Sequence, residues 1–544
     1  MNPLHRPFVA TLLLLAALPL LATAALALGA LFDANAWRAL AQDPQWARAM
    51  GLSLWTGLAS TTLAWWATRA LLAQAFVQQR LARLLRGLPA MLATPHAAFA
   101  IGLAFLLAPS GWLLRALSPG LTGFEFPPPW PTTQDPWGLA LIVALALKEI
   151  PFLLWTAATQ LQRDDVRQHW QAEHALAQTL GYSPRRAFDR VVWPQLAPRL
   201  FGPLVAVLAY GLTVVDMALV IGPASPPTLA VLAWQWLQDA DLATNAQGAA
   251  AGGVLALAVG ASVLLWRLLQ TLANQRVRQG SGARGRPRPV TGPAWGTALL
   301  VAVYAAVLLA LAVGSVAGVW PFPALWPETL TSQAWASVWA SRGTVLTTLS
   351  LAAASAALAL VWSVAWLESA PRRWDTALRP LLYAPLVLPA VLWVVGLYSL
   401  ALWLRIEGRW PALLLAHTLM ALPYVLLALA PAYTGFDPRY RAISDSLGRS
   451  RAHFLLRIKW PLLRRALAAS AAVGFAVSVA QYLPTLYLGA GRWATVTTEA
   501  VNLAAGAQRS LTSAYAGLQW LLPVLGFALA AWVGRPRRFT VAAA

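Results

Sequence analysis

Lys148 and Glu149 stand side by side in an otherwise apolar stretch, two residues ahead of Pro151. An ammonium and a carboxylate at that depth are costly unless they find partners or face a cavity. Two readings are open: structural pairing, with each other or across a helix bundle, and lining of a translocation path. Asp216 poses the same choice, since its carboxylate could attract a cation or hold a neighbouring helix. Gln481 and Tyr482 are further candidate lining groups, whereas His417 reads as a helix–helix contact. None of these sets up an enzyme. The chain has six His and no Cys, which excludes disulfides, thiolate metal sites and cysteine nucleophiles. No clustered His/Asp/Glu spacing points to a metal. A phosphate-cradling loop needs Gly-x-x-x-x-Gly-Lys-Ser/Thr, and Lys148 and Lys459, the two lysines, both lack that context.

The elements that must position these groups are membrane spans. The chain has 544 residues, 59% apolar and 11% charged, with a mean hydropathy of +0.59. Soluble domains carry about a quarter charged residues, and a β-barrel would show short alternating segments. The pattern predicts an all-α polytopic membrane protein with about 12 transmembrane helices. They are expected near 8–31, 50–74, 87–108, 137–160, 199–222 and 247–270, then 294–318, 343–367, 379–404, 409–432, 466–488 and 513–533. The first apolar run is about 24 residues, longer than the roughly 7–15 of a cleaved signal, and reads as a retained span. Gln275–Gly292, basic and rich in Gly and Pro, reads as a cytoplasmic linker between units at 1–274 and 293–544.

A net charge of +21 could suggest nucleic acid, but the basic residues fall in short loops between spans. They are expected to set topology and meet anionic lipid, with no nucleic acid as partner. The Arg-rich loops all lie on the N-terminal side of twelve spans, which places that side and both termini in the cytoplasm. The two halves then enter the bilayer alike, as parallel repeats.

A 14-residue segment occurs twice, 267 residues apart, from Gly181 to Pro194 and from Gly448 to Pro461. Gly181, Ser183, Arg190, Trp193 and Pro194 match Gly448, Ser450, Arg457, Trp460 and Pro461 without a gap. Good helix formers precede each glycine, which suits a left-handed C′ position. Ser183 and Ser450 suit N-caps of a second helix. Pro194 and Pro461 are expected to interrupt that helix. The product is a cytoplasmic helix–turn–helix elbow in each half, about 161–198 and 434–465. A single copy could be an amphipathic helix resting on headgroups; two copies with one spacing suggest two docking points for a paired soluble partner.

The elbow resembles the EAA loop of permease subunits in binding-protein-dependent ABC importers. That motif has a glycine, an aromatic or aliphatic residue seven later and a proline thirteen later. Gly181, Phe188 and Pro194 fill these places, then Gly448, Leu455 and Pro461. The whole chain is similar to fused permeases, in which two MetI-like units form one polypeptide, as in thiamine and ferric-iron importers. The resemblance implies a non-catalytic channel that moves a small solute from periplasm to cytoplasm by alternating access. It implies two copies of a cytoplasmic ATPase, coupled through Gly181, Ser183, Phe188 and Pro194 and through Gly448, Ser450, Leu455 and Pro461. It also implies a periplasmic substrate-binding protein and a bacterial inner membrane, with ATP and Mg2+ on the ATPase and no cofactor in this chain. One departure stands out: the family's glutamate six before the glycine is Ala175 in one copy and Ala442 in the other. Asp216 and Glu149 favour a cationic cargo, thiamine-like or a metal ion, while Lys148 leaves an oxoanion open. A 6+6 secondary transporter is the alternative, and it would need coupling carboxylates but no paired elbows.

Overall fold

A computed structural model describes residues 5–278, 295–506 and 508–535. Ten helices carry the first half: α1 (His5–Leu31), α2 (Trp46–Val77), α3 (Leu81–Leu92), α4 (His96–Leu107), α5 (Leu139–Leu161), α6 (Asp164–Thr179), α7 (Pro184–Thr213), α8 (Asp216–Ile221), α9 (Leu229–Leu237) and α10 (Leu242–Arg278). The second half repeats them as α11 (Trp295–Gly314), α12 (Arg342–Ser369), α13 (Arg372–Leu382), α14 (Ala390–Trp403), α15 (Trp410–Thr434), α16 (Arg439–Ser446), α17 (Arg451–Val479), α18 (Leu483–Gly489), α19 (Val496–Ala504) and α20 (Arg509–Val533). Each helix corresponds to the one ten places earlier. Among the described residues no strand forms; an isolated bridge joins Ala317 to Leu330. The expected linker falls on the end of α10 as far as Arg278, and its remainder lies outside the described residues.

Among the described residues nine helices are long and apolar enough to cross a membrane, and ten with the bent pair Arg373–Leu386 and Ala390–Trp403. Helices α1, with 27 residues, and α2, with 32, have the length as well. Four expected spans sit differently. The third begins at His96 rather than 87, because Pro95 cannot donate to the preceding turn and splits α3 from α4. Pro389 does the same in the ninth, where the two helical pieces meet at 102°. The fifth and eleventh start further back, at Pro184 and Arg451, and end early at Thr213 and Val479.

Within each half α2, α5 and α7 (or α12, α15 and α17) pack as a core. Small residues let these helices approach: a Cβ at Gly57 would lie 2.7 Å from Leu212 Cδ2. Ser53 Oγ accepts the Leu229 N–H at the start of α9 at 2.8 Å, and Thr348 Oγ1 accepts the Val496 N–H at the start of α19 at 2.9 Å. The halves exchange their first helices: α1 packs on α14 and α11 on α4. Helices α4 and α14 therefore hold the halves together.

The α4–α11 contact is tight enough to test. A Cβ on Gly102 would sit 2.7 Å from Val307 Cγ1 and 2.8 Å from the Val307 carbonyl oxygen. Gly102→Ala is expected to destabilise the purified protein by roughly 1–3 kcal/mol, read as a lower Tm in detergent; an unchanged Tm would contradict this packing.

Candidate functional site

Two places in the molecule gather the residues singled out by sequence. The first is the pair of elbows. Helix α6 ends in a Schellman turn: Gly181 N–H reaches the Gln178 carbonyl at 2.9 Å and Tyr182 N–H the Ala177 carbonyl at 3.2 Å. Helix α16 ends identically, Gly448 N–H on Asp445 and Arg449 N–H on Ser444, both at 3.0 Å. Each turn needs the positive φ that its glycine supplies, +89° at Gly181 and +67° at Gly448. Ser450 Oγ caps the second arm by accepting the His453 N–H at 3.2 Å. Ser183 takes the N-cap backbone conformation, but its side chain makes no cap bond.

The prolines do not interrupt the second arm. Pro194 and Pro461 lack the N–H that would bond to the carbonyls of Arg190 and Arg457. A wider π turn precedes each, Phe188–Val192 and Leu455–Lys459, closed by Trp193 N–H to Phe188 O and Trp460 N–H to Leu455 O. That turn makes room for the ring. The arm of the elbow and the following span are therefore one helix, α7 or α17, of 30 and 29 residues.

Phe188 is fully buried, with its ring 5.3 Å from Phe76, so it fastens the elbow to α2 rather than presenting a docking surface. Leu455 is only half-buried, and its neighbour Phe454 takes the buried place against Phe436. The exposed edge consists of residues the motif did not single out. Leu176 and Leu180 are 62% and 55% exposed, and their counterparts Ile443 and Leu447 are 58% and 69% exposed. Each pair is spaced i, i+4 and so shares a helix face. Their amphipathic spacing was the available signal. Ala175 and Ala442 are exposed beside them. Glu173 is engaged by Gln195 at 2.6 Å and Asp445 by Arg441 at 2.8 Å, so neither replaces the absent acid.

Ion pairs of opposite polarity tie the elbows to the bundle. In the first half Arg69 of α2 meets Asp189 of the elbow at 2.9 Å. In the second, Glu368 of α12 accepts from Lys459 at 2.8 Å, Arg451 at 3.0 Å and Tyr433 OH at 2.9 Å. Lys459 also lies 3.9 Å from the Tyr433 ring centroid.

The second place is a polar group at the centre of the first half. Lys148 and Glu149 point apart. Lys148 Nζ donates to the Met91 carbonyl, at the last turn of α3, at 3.4 Å, a structural use of a cation at a helix C-terminus. Glu149 Oε1 meets His96 Nε2 at 3.2 Å. The His96 ring lies 4.5 Å from that of Tyr210, and Tyr210 OH donates to Asp216 Oδ1 at 3.3 Å. The span breaks here: Val214 and Val215 leave the helix between α7 and α8. Gln481 and Tyr482 occupy the same break between α17 and α18, where Tyr482 OH donates to Asn502 Oδ1 at 3.0 Å. The Trp234 and Tyr482 rings meet across the halves at 6.4 Å. His417 bridges α15 to Ser478 at 2.8 Å and Thr485 at 2.9 Å, a satisfied helix–helix contact as its sequence context predicted.

Comparison with known proteins now joins this geometry. Residues 363–538 match the model of the binding-protein-dependent transport system inner membrane component. The chain is 36% identical over 519 residues to the inner membrane ABC transporter permease protein YnjC of Escherichia coli, covering 92% of each. It is 28% identical over 185 residues, 30% of this chain and 70% of the relative, to the molybdenum transport system permease protein ModB of Mycobacterium tuberculosis. It is also 28% identical over 201 residues, 33% of this chain and 37% of the relative, to the thiamine transport system permease protein ThiP of Salmonella typhimurium.

The elbow locks differ in burial, and their loss should differ too. Lys459 is 13% exposed and Glu368 17%, against 27% and 23% for Arg69 and Asp189. Glu368→Gln strands a shielded ammonium and is expected to lower stability by about 1–3 kcal/mol, whereas Asp189→Asn should cost about 1 kcal/mol or less. Thermal unfolding of the two variants in detergent reads the difference; equal shifts would count against the second lock.

Proposed function

The chain belongs to the family of binding-protein-dependent transport system inner membrane components, and from that membership we infer how its elbows and polar centre are used. It is a transmembrane permease of an ABC transporter, a transport subunit rather than an enzyme, and a multi-pass protein of the inner membrane. Its elbows dock two copies of a cytoplasmic ATPase that binds the ATP and Mg2+, and both termini lie on that side. A periplasmic binding protein delivers the solute, and the halves alternate between inward-open and outward-open states.

The observation that carries this reading is the duplicated elbow: one turn chemistry, one exposed apolar pair and one π turn, at matching places in both halves. Burying an apolar side chain of this size is worth roughly 1.5–3 kcal/mol, so Leu176, Leu180, Ile443 and Leu447 supply docking energy where the family's glutamate is absent. A 6+6 secondary transporter has no use for such an edge. The cargo reading favours a cation, thiamine-like or a metal ion. Lys148 is spent on the Met91 carbonyl, which removes the main argument for an oxoanion.

Two measurements test these points. Proline fixes φ near −65°, so Gly181→Pro or Gly448→Pro should abolish co-purification of the ATPase while the permease still inserts into the membrane. Retention of an unchanged ATPase pair by both variants would sink the elbow assignment. Glu149→Ala and Asp216→Ala are each expected to cut uptake at least tenfold at normal protein level; full uptake by both would return these residues to a purely structural role.

A further inference from the structure

We propose that Glu149, Asp216, His96 and Tyr210 form a single transit station for an organic cation, lodged in the first half only and walled by aromatic side chains of both halves. The proposal deepens the permease reading and rests on it.

Four helices build the station. Glu149 comes from the middle of α5, His96 from the first residue of α4, and Tyr210 and Asp216 from either side of the break after α7. Contacts at 3.2 Å and 3.3 Å and one ring contact link them into a continuous row. The carbonyl end of α7 adds charge of the same sense. Helix α7 stops at Thr213 with Val214 extended (ψ 134°), and no backbone N–H of that cap residue returns to the helix. The last carbonyls of a half-helix present the negative end of its dipole, the arrangement that broken transporter helices use for cations. Two carboxylates and a helix C-terminus thus face one region, and the nearest ammonium, Lys148, points to a different element.

The second half is the internal control. The repeat places Ala390 where His96 stands, Ala421 for Glu149, Val477 for Tyr210 and Leu483 for Asp216. All four polar side chains are replaced by apolar ones, although the helix break itself is retained at Gln481 and Tyr482. A group kept merely to hold the shared architecture would be needed twice. The charge serves something that occupies one side of the path.

The chemistry of the walls selects an organic cation over a metal ion. Among the described residues no group of three or more His, Cys, Asp or Glu side chains could hold a metal. The Trp234 and Tyr482 rings meet across the halves at 6.4 Å, the Tyr210 ring lies 4.5 Å from that of His96, and Tyr424 of α15 is 40% exposed. Aromatic faces attract delocalised or quaternary cations through the ring quadrupole. An oxoanion would meet two carboxylates at close range and be repelled.

The test uses the full chain in nanodiscs, titrated with choline, thiamine and N-methylpyridinium as probes, with Mn2+ and molybdate as contrasting arms. The expected result is a saturable Tm increase with at least one organic cation. Glu149→Gln and Asp216→Asn should each weaken its apparent affinity at least about tenfold, the scale of one lost charge contact. The proposal is overturned if no organic cation shifts the Tm, if only Mn2+ or molybdate does, or if both charge-neutralised variants respond as the parent does. Co-purification of the ATPase with the same variants is scored separately. Its retention alongside a lost cation response supports the station; its absence from the parent chain would strike the elbow-docking assignment, which the cation titration does not use.

Discussion

The structure depends on an unbroken helix through a proline. A proline inside a helix ordinarily costs about 3 kcal/mol or more and kinks or ends it. Here one widened turn before Pro194, and one before Pro461, absorbs the missing N–H. The consequence is mechanical. The arm of each elbow and the span behind it form one rod of 30 or 29 residues, roughly 45 Å at 1.5 Å per residue. One end begins just past the glycine turn that joins it to the exposed apolar edge of α6 or α16, and the other ends at the break beside Asp216 or Gln481. From that turn to the break the rod runs as one helix, and the ion pairs at Asp189 and Glu368 fix where it leans on α2 and α12.

Breaks in the middle of a bilayer are tolerated only where the freed backbone groups are buried in protein or face water. This is why α8 and α18 are short, and why α9 and α19 follow them with their first N–H groups capped by Ser53 and Thr348 from neighbouring spans. The same rule accounts for Pro95 and Pro389. Each breaks the backbone where α4 and α14 meet the opposite half, and both prolines are themselves buried.

Much of this was legible in the residues. Hydropathy located the helices, and the glycine spacing gave the Schellman turns, because a left-handed C′ position has few alternatives to Gly. The span ends were less legible. Pro95, Pro194, Pro389 and Pro461 look alike in sequence, yet two break a helix and two are absorbed. The difference lies in whether the preceding turn can widen, which tertiary packing decides. Direction was illegible as well. Lys148 and Glu149 are neighbours, and on a helix neighbours point about 100° apart, so their adjacency does not make them a pair. Phe188 met the motif's spacing but faces inward, because Phe76 and Trp193 offer it an apolar seat; the exposed leucines beside it carried their signal in i, i+4 spacing instead.

Fusion of the two halves into one chain explains how the centre became lopsided. In a permease built from two identical subunits, every side chain on the path appears twice. A Glu149–Asp216 pair would then face its own copy, and four carboxylates in one low-dielectric region repel each other strongly. At least some would have to take up protons or be lost. One polypeptide removes that constraint, since Glu149 can stay while its counterpart becomes Ala421 and Asp216 can stay opposite Leu483. The inverted locks follow the same logic: the cation sits on the bundle at Arg69 and on the elbow at Lys459, an exchange that identical subunits could not make. The architecture remains two-fold: both halves keep the glycine turn, the π turn and the exposed apolar pair. The charge is one-sided: Ala421 and Leu483 stand in the second half where Glu149 and Asp216 stand in the first.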